Sequence, residues 1–108
     1  MHNETAIRAL GALAQEHRLA AFRLLVEAGP TGLAAGALAE RLAIAPSSLS
    51  FHLTQLANAG LVAQVRQSRS IIYTADFAAM GALVGYLTEN CCQGASCAPA
   101  VADPATCC

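Results

Sequence analysis

Apolar residues recur at three- and four-residue spacing through the first half of the chain and then change rhythm. Behind Asn3, Ile7, Leu10 and Leu13 share one face, which predicts a first helix capped by Asn3 and running to about Gln15. A second helix is expected from His17 to Ala28, with Leu19, Phe22, Leu24, Leu25 and Val26, stopped by Gly29-Pro30. Thr31 or Gly32 opens a third, Leu33 to Ala43, with Leu38 and Leu42 at helical spacing. A tight connector, Ile44-Ala45, leads to Pro46, well placed as the first residue of a fourth helix that reaches about Ala59 and stops at Gly60. Leu49, Leu53 and Leu56 face inward there, leaving Ser47, Ser48, Ser50, Phe51, Thr54 and Gln55 on other faces.

After Gly60 the pattern is that of strands. Leu61 to Arg66 and Ser70 to Ala75 are short runs with Val, Ile and Tyr, joined by the polar tip Gln67-Ser68-Arg69, and read as a β-hairpin. Asp76 caps a last helix from Phe77 to about Asn90. That helix is apolar almost all round, so it is expected to be buried, most simply against its copy in a second subunit, where Gly81 and Gly85 permit close approach. From Cys91 the chain is Gly, Ala, Ser, Pro and Cys. The expected organisation is a folded unit over 1–90 and a flexible Cys-rich tail over 91–108.

Two helices across a tight turn, followed by Gly and a two-stranded hairpin, make a mainly α winged helix-turn-helix. The second helix of such a pair enters the major groove. Ser47, Ser48, Ser50, Phe51, Thr54 and Gln55 are then the candidate base-reading residues, and Arg66 and Arg69 on the wing the candidate phosphate or minor-groove contacts. Serines at a helix start also serve as caps. His52 is read as a packing or phosphate-contact residue, and neither His17 nor His2 has partner spacing for a site.

Composition changes this picture in two ways. With 56% hydrophobic and 12% charged residues in 108, there is little polar surface to cover a monomer, and a homodimer is expected. The net charge is −1, with six Arg and no Lys, an unusual balance for a DNA binder. A second copy doubles the arginines, but few phosphate contacts and a shallow salt dependence are expected. No stretch is long enough to span a bilayer and no export signal is apparent, so a cytoplasmic protein with reduced thiols is expected.

Ala45-Pro46-Ser47-Ser48-Leu49-Ser50-Phe51-His52-Leu53, then Leu56, Ala59-Gly60-Leu61-Val62, and Arg66-Gln67-Ser68-Arg69-Ser70-Ile71-Ile72-Tyr73, with His17-Arg18-Leu19 upstream, resemble the ArsR/SmtB family of bacterial metalloregulators over about residues 4–90. The resemblance implies homodimers joined by the first and last helices, which repress an operator when free of inducer.

All five cysteines, Cys91, Cys92, Cys97, Cys107 and Cys108, lie at the end of the chain. Thiolates are soft ligands, and three of them suit trivalent arsenic or antimony. The family's arsenic site on the third helix requires Cys, which Leu33 to Leu38 lacks, and its zinc site on the last helix requires carboxylates and His, which Phe77 to Thr88 lacks. A C-terminal Cys-Cys with a nearby Cys does match a third family arrangement. This implies Cys91, Cys92 and Cys97 as ligands, with Cys107 and Cys108 additional. A zinc or cadmium site, a thiol-redox switch and a two-thiol site selective for methylarsenite remain open alternatives. The last basic residue is Arg69, and no phosphate-cradling loop or nucleophile–base set appears, which argues against an enzyme.

Overall fold

Local signals set most of the element boundaries. In the computed structural model, which describes residues 1–94, the order is α1 (Asn3–Leu13), α2 (Glu16–Ala28), β1 (Leu33–Ala34), α3 (Ala35–Leu42), α4 (Pro46–Asn58), β2 (Val62–Gln67), β3 (Ser70–Ala75) and α5 (Phe77–Leu87). A single 3₁₀ turn follows α2 at Gly29–Thr31, and beyond α5 the chain turns at Cys91–Gly94 with Cys92 and Gln93 at positive φ. Pro46 takes the first turn of α4, where its missing N–H costs nothing. The other end of α4 closes with Gly60 at φ +78°, its amide donating to the Ala57 carbonyl at 2.9 Å and the Leu61 amide to the Leu56 carbonyl at 3.0 Å. These crossed bonds satisfy terminal carbonyls, and Leu56 and Leu61 are both buried beside them. The same pattern ends α3 on Ala43, a non-glycine residue at φ 55°. Asp76 caps α5 as expected, accepting from the Ala79 amide at 3.0 Å.

The sheet is antiparallel in the order β1-β3-β2, with the hairpin register running from Val62↔Ala75 to Gln67↔Ser70. Its tip is two residues long, and Ser68 adopts the positive φ that such turns require. β1 was not expected: Leu33 and Ala34 pair with Tyr73 and Ile72 instead of starting the third helix. Gly32 makes this approach possible. Its φ is +68°, and a Cβ there would overlap the Tyr73 carbonyl and lie 2.7 Å from Thr74 Cγ2.

Leu25, Leu38, Leu49, Leu53, Leu56 and Leu61 form the fully buried centre, joined by Phe22, Val62 and Leu83. No polar or charged residue is buried among the described residues. The stripe of larger residues on α1 is not the one that meets the core. Ala6 and Ala9 are buried, whereas Ile7 and Leu10 are exposed. Small residues let α1 lie close to its neighbours, and the larger ones point away. Asn3 is the first residue of α1 and not its cap; its Oδ1 accepts a hydrogen bond from the Tyr86 hydroxyl at 3.0 Å, tying α1 to α5. Within one chain only Leu83 of α5 is buried, and Val84 and Leu87 are 54% and 57% exposed. None of the described helices is long and apolar enough to cross a membrane.

Candidate nucleic-acid interface

Helix α4 buries the stripe Leu49, Leu53 and Leu56 and turns Ser47, Ser48, Ser50, Phe51 and Thr54 to solvent. Ala45 precedes the helix and no side chain caps its start, so the serines are not used as caps. Thr54 returns its hydroxyl to the Ser50 carbonyl at 2.9 Å. Gln55 is set apart from these residues, half-buried in a cleft it shares with Arg8, Ala12 and Arg18. Arg66 and Arg69 are exposed on the hairpin, Arg66 opposite Ile71 and Arg69 at the tip. The expected reading helix and wing therefore stand on a common frame, because β3 pairs with both β1 and β2 and α4 packs on α3 and β2.

Behind α4 lies a cluster that sequence reasoning missed. Arg18 donates through Nε to the Ala12 carbonyl at 2.7 Å, and its Nη1 lies 3.4 Å from His52 Nδ1. His17 packs against His52 with ring centroids 5.6 Å apart, and Phe51 meets His52 edge-on at 5.7 Å. The packing role expected for His52 agrees with this position. Partial burial, then the Arg18 charge, then His17 hold the His52 pKa below its ordinary value of 6.5, because each disfavours adding a proton. Only the adjacency of His17 to Arg18 hinted at the cluster. Its partner on α4 is 34 residues away from Arg18.

A second exposed region is aliphatic. Ile7 and Leu10 on α1, Leu19 on α2 and Val84 and Leu87 on α5 are all exposed. Leu19 and Val84 also line a groove of about 380 Å³ with Leu13, Phe22, Met80 and Leu83, where Arg23 and Glu27 add charge.

Of the five cysteines, Cys91 and Cys92 are within the described residues, directly beyond α5. The Cys91 amide donates to the Thr88 carbonyl at 3.0 Å, and Cys92 is an exposed free thiol at φ 55°. Cys97, Cys107, Cys108 and the rest of the expected tail lie outside the described residues. No group of three or more His, Cys, Asp or Glu side chains is gathered for metal binding among the described residues.

A helix-turn-helix domain family matches residues 13–65. Among solved structures, HlyU from Vibrio cholerae is 32% identical, covering 81% of this chain and 97% of its own, with a TM-score of 0.64. An ArsR-like transcriptional regulator from Rhodococcus sp. RHA1 is 28% identical over 78% of this chain and 76% of its own, with a TM-score of 0.69. The homodimeric winged helix-turn-helix DNA-binding domain of a possible ArsR-family transcriptional regulator from Mycobacterium bovis is 27% identical over 81% of each chain, with a TM-score of 0.64. No curated protein sequence matches the chain.

Proposed function

Since this chain belongs to the ArsR/SmtB-type family of winged helix-turn-helix, DNA-binding transcriptional regulators, we propose that it is a homodimeric repressor released from its operator by trivalent arsenic or antimony. The observation that carries the inducer reading is the position of Cys91 and Cys92. They lie four and five residues beyond the end of α5, the helix whose Val84 and Leu87 are exposed and apolar.

In this reading the aliphatic face of α1 and α5 joins two copies. Each α4 then enters a major groove, and the wings bring Arg66 and Arg69 to the backbone. The M. bovis domain, named as homodimeric, supplies the precedent for the pairing. Once reduced, Cys91, Cys92 and Cys97 supply three thiolates, a donor set that suits a soft ion with a three-coordinate pyramid. Closing that site ties the chain beyond α5 to the dimer helix and alters the separation of the two reading helices. Ion and DNA then weaken each other's binding by one common factor. Near-complete release requires a difference of about 5 kcal/mol between free and DNA-bound dimers.

The test is operator binding by the reduced full-length protein, followed by fluorescence anisotropy while arsenite and then zinc are added. Release by arsenite and not by zinc, abolished in Cys97→Ser, is the expected result. Release that persists in Cys97→Ser removes Cys97 from the site. Bound DNA that no ion displaces overturns the metalloid mechanism.

A further inference from the structure

Resting on the DNA-binding reading above, we propose that Phe51 reads the 5-methyl group of a thymine in each operator half-site. α4 carries no Asp, Glu, Lys or Arg between Pro46 and Asn58. Between its exposed end residues Pro46, Ala57 and Asn58, its outward face carries the hydroxyls of Ser47, Ser48, Ser50 and Thr54 and one aromatic ring. Phe51 is 57% exposed on that face, opposite the buried Leu49, Leu53 and Leu56.

The ring is braced from beneath. Its edge contact with His52, with ring planes 65° apart, leads through Arg18 to the Ala12 carbonyl at the end of α1. A braced apolar ring loses little freedom when it is covered, so covering it is favourable provided the partner is apolar at the contact. Serine and threonine hydroxyls bond several bases and discriminate weakly, whereas the major groove offers an apolar group on a base edge only at the thymine methyl. A second copy of the chain is the poorer partner. Phe51 is ringed by hydroxyls on α4, while the exposed aliphatic residues Ile7, Leu10, Val84 and Leu87 belong to α1 and α5.

The experiment begins with duplexes selected from a random pool by the wild-type protein. Each thymine of the selected site is then replaced by uracil, which removes the methyl and leaves every hydrogen-bonding group. One thymine per half-site is expected to matter: losing its methyl weakens wild-type binding about fourfold, and losing both about fifteenfold, as for a buried methyl-sized group. Phe51→Ala should bind more weakly and be indifferent to the same replacement, with Phe51→Leu intermediate. Circular dichroism and sedimentation should show Phe51→Ala folded and in the wild-type oligomeric state. The proposal is overturned if no uracil weakens the wild type, if Phe51→Ala loses as much as the wild type, or if Phe51→Ala changes the oligomeric state. Selection of no duplex at all would instead defeat the DNA-binding reading on which it rests.

Discussion

The outward faces of α4 and α5 are both exposed in one chain, yet they are chemically opposite. α4 shows hydroxyls around a single aromatic ring, whereas α5, with α1, shows Ile7, Leu10, Val84 and Leu87 in water. Burial alone does not distinguish them. An aliphatic face has no directional groups and gains from any apolar cover, so it fits a permanent partner. A hydroxyl face gains from a partner that presents donors and acceptors, and water satisfies it between encounters. Behind α4, a junction at Arg18 links α1 to α4, bonding the end of α1 and approaching His52.

The largest effect is expected from charging the aliphatic face. Val84→Glu combined with Leu87→Glu should leave each chain folded, since both side chains are largely exposed. Sedimentation should report a monomer. Operator affinity should fall by about 100-fold or more, because two linked half-sites become two separate ones. A dimer that survives both charges would end the contrast between the faces.

Next in size is the frame behind α4. Gly32→Ala places a Cβ against the Tyr73 carbonyl at a positive φ, so the Leu33–Ala34 strand must shift. Urea unfolding should show a loss of about 2 kcal/mol, within the range for an incompatible left-handed position. A neutral result would mean that β1 contributes nothing to holding the wing.

The smallest effect belongs to the junction. With its pKa lowered in the folded state, His52 takes up fewer protons than it does in the unfolded chain. Its contribution to stability is therefore fully present above about pH 6.5 and declines as pH falls through the lowered folded value. His52→Gln should flatten the part of the stability profile below pH 6.5 that this residue causes, measured by urea unfolding at several pH values. An unchanged profile would show that the cluster is packing alone.

Elements governed by neighbours along the chain were legible in the residues themselves. Pro46 at the start of α4, Gly60 at its end, the Asp76 cap and the Leu49, Leu53 and Leu56 stripe each depend on residues within about one or two turns, as do the strands of the hairpin. The exposed candidates Ser47, Ser48, Ser50, Phe51, Thr54, Arg66 and Arg69 follow from the same periodicity. Which of two apolar stripes on α1 would face inward did not. Ile7 and Leu10 are the more hydrophobic choice, but the space beside the core admits Ala6 and Ala9.

By itself, then, the sequence determined the helices, the wing hairpin, the exposed hydroxyl face of α4 and the clustering of soft thiols at the chain's end, because caps, stops and periodicity act over a few residues. Only the tertiary structure decided that Gly32 must lie against Tyr73, that Arg18 reaches His52, that Asn3 holds Tyr86 and that α5 keeps its apolar side uncovered within one chain. Those contacts join residues as many as 83 positions apart. Their geometry follows from how whole elements pack, which no local pattern encodes.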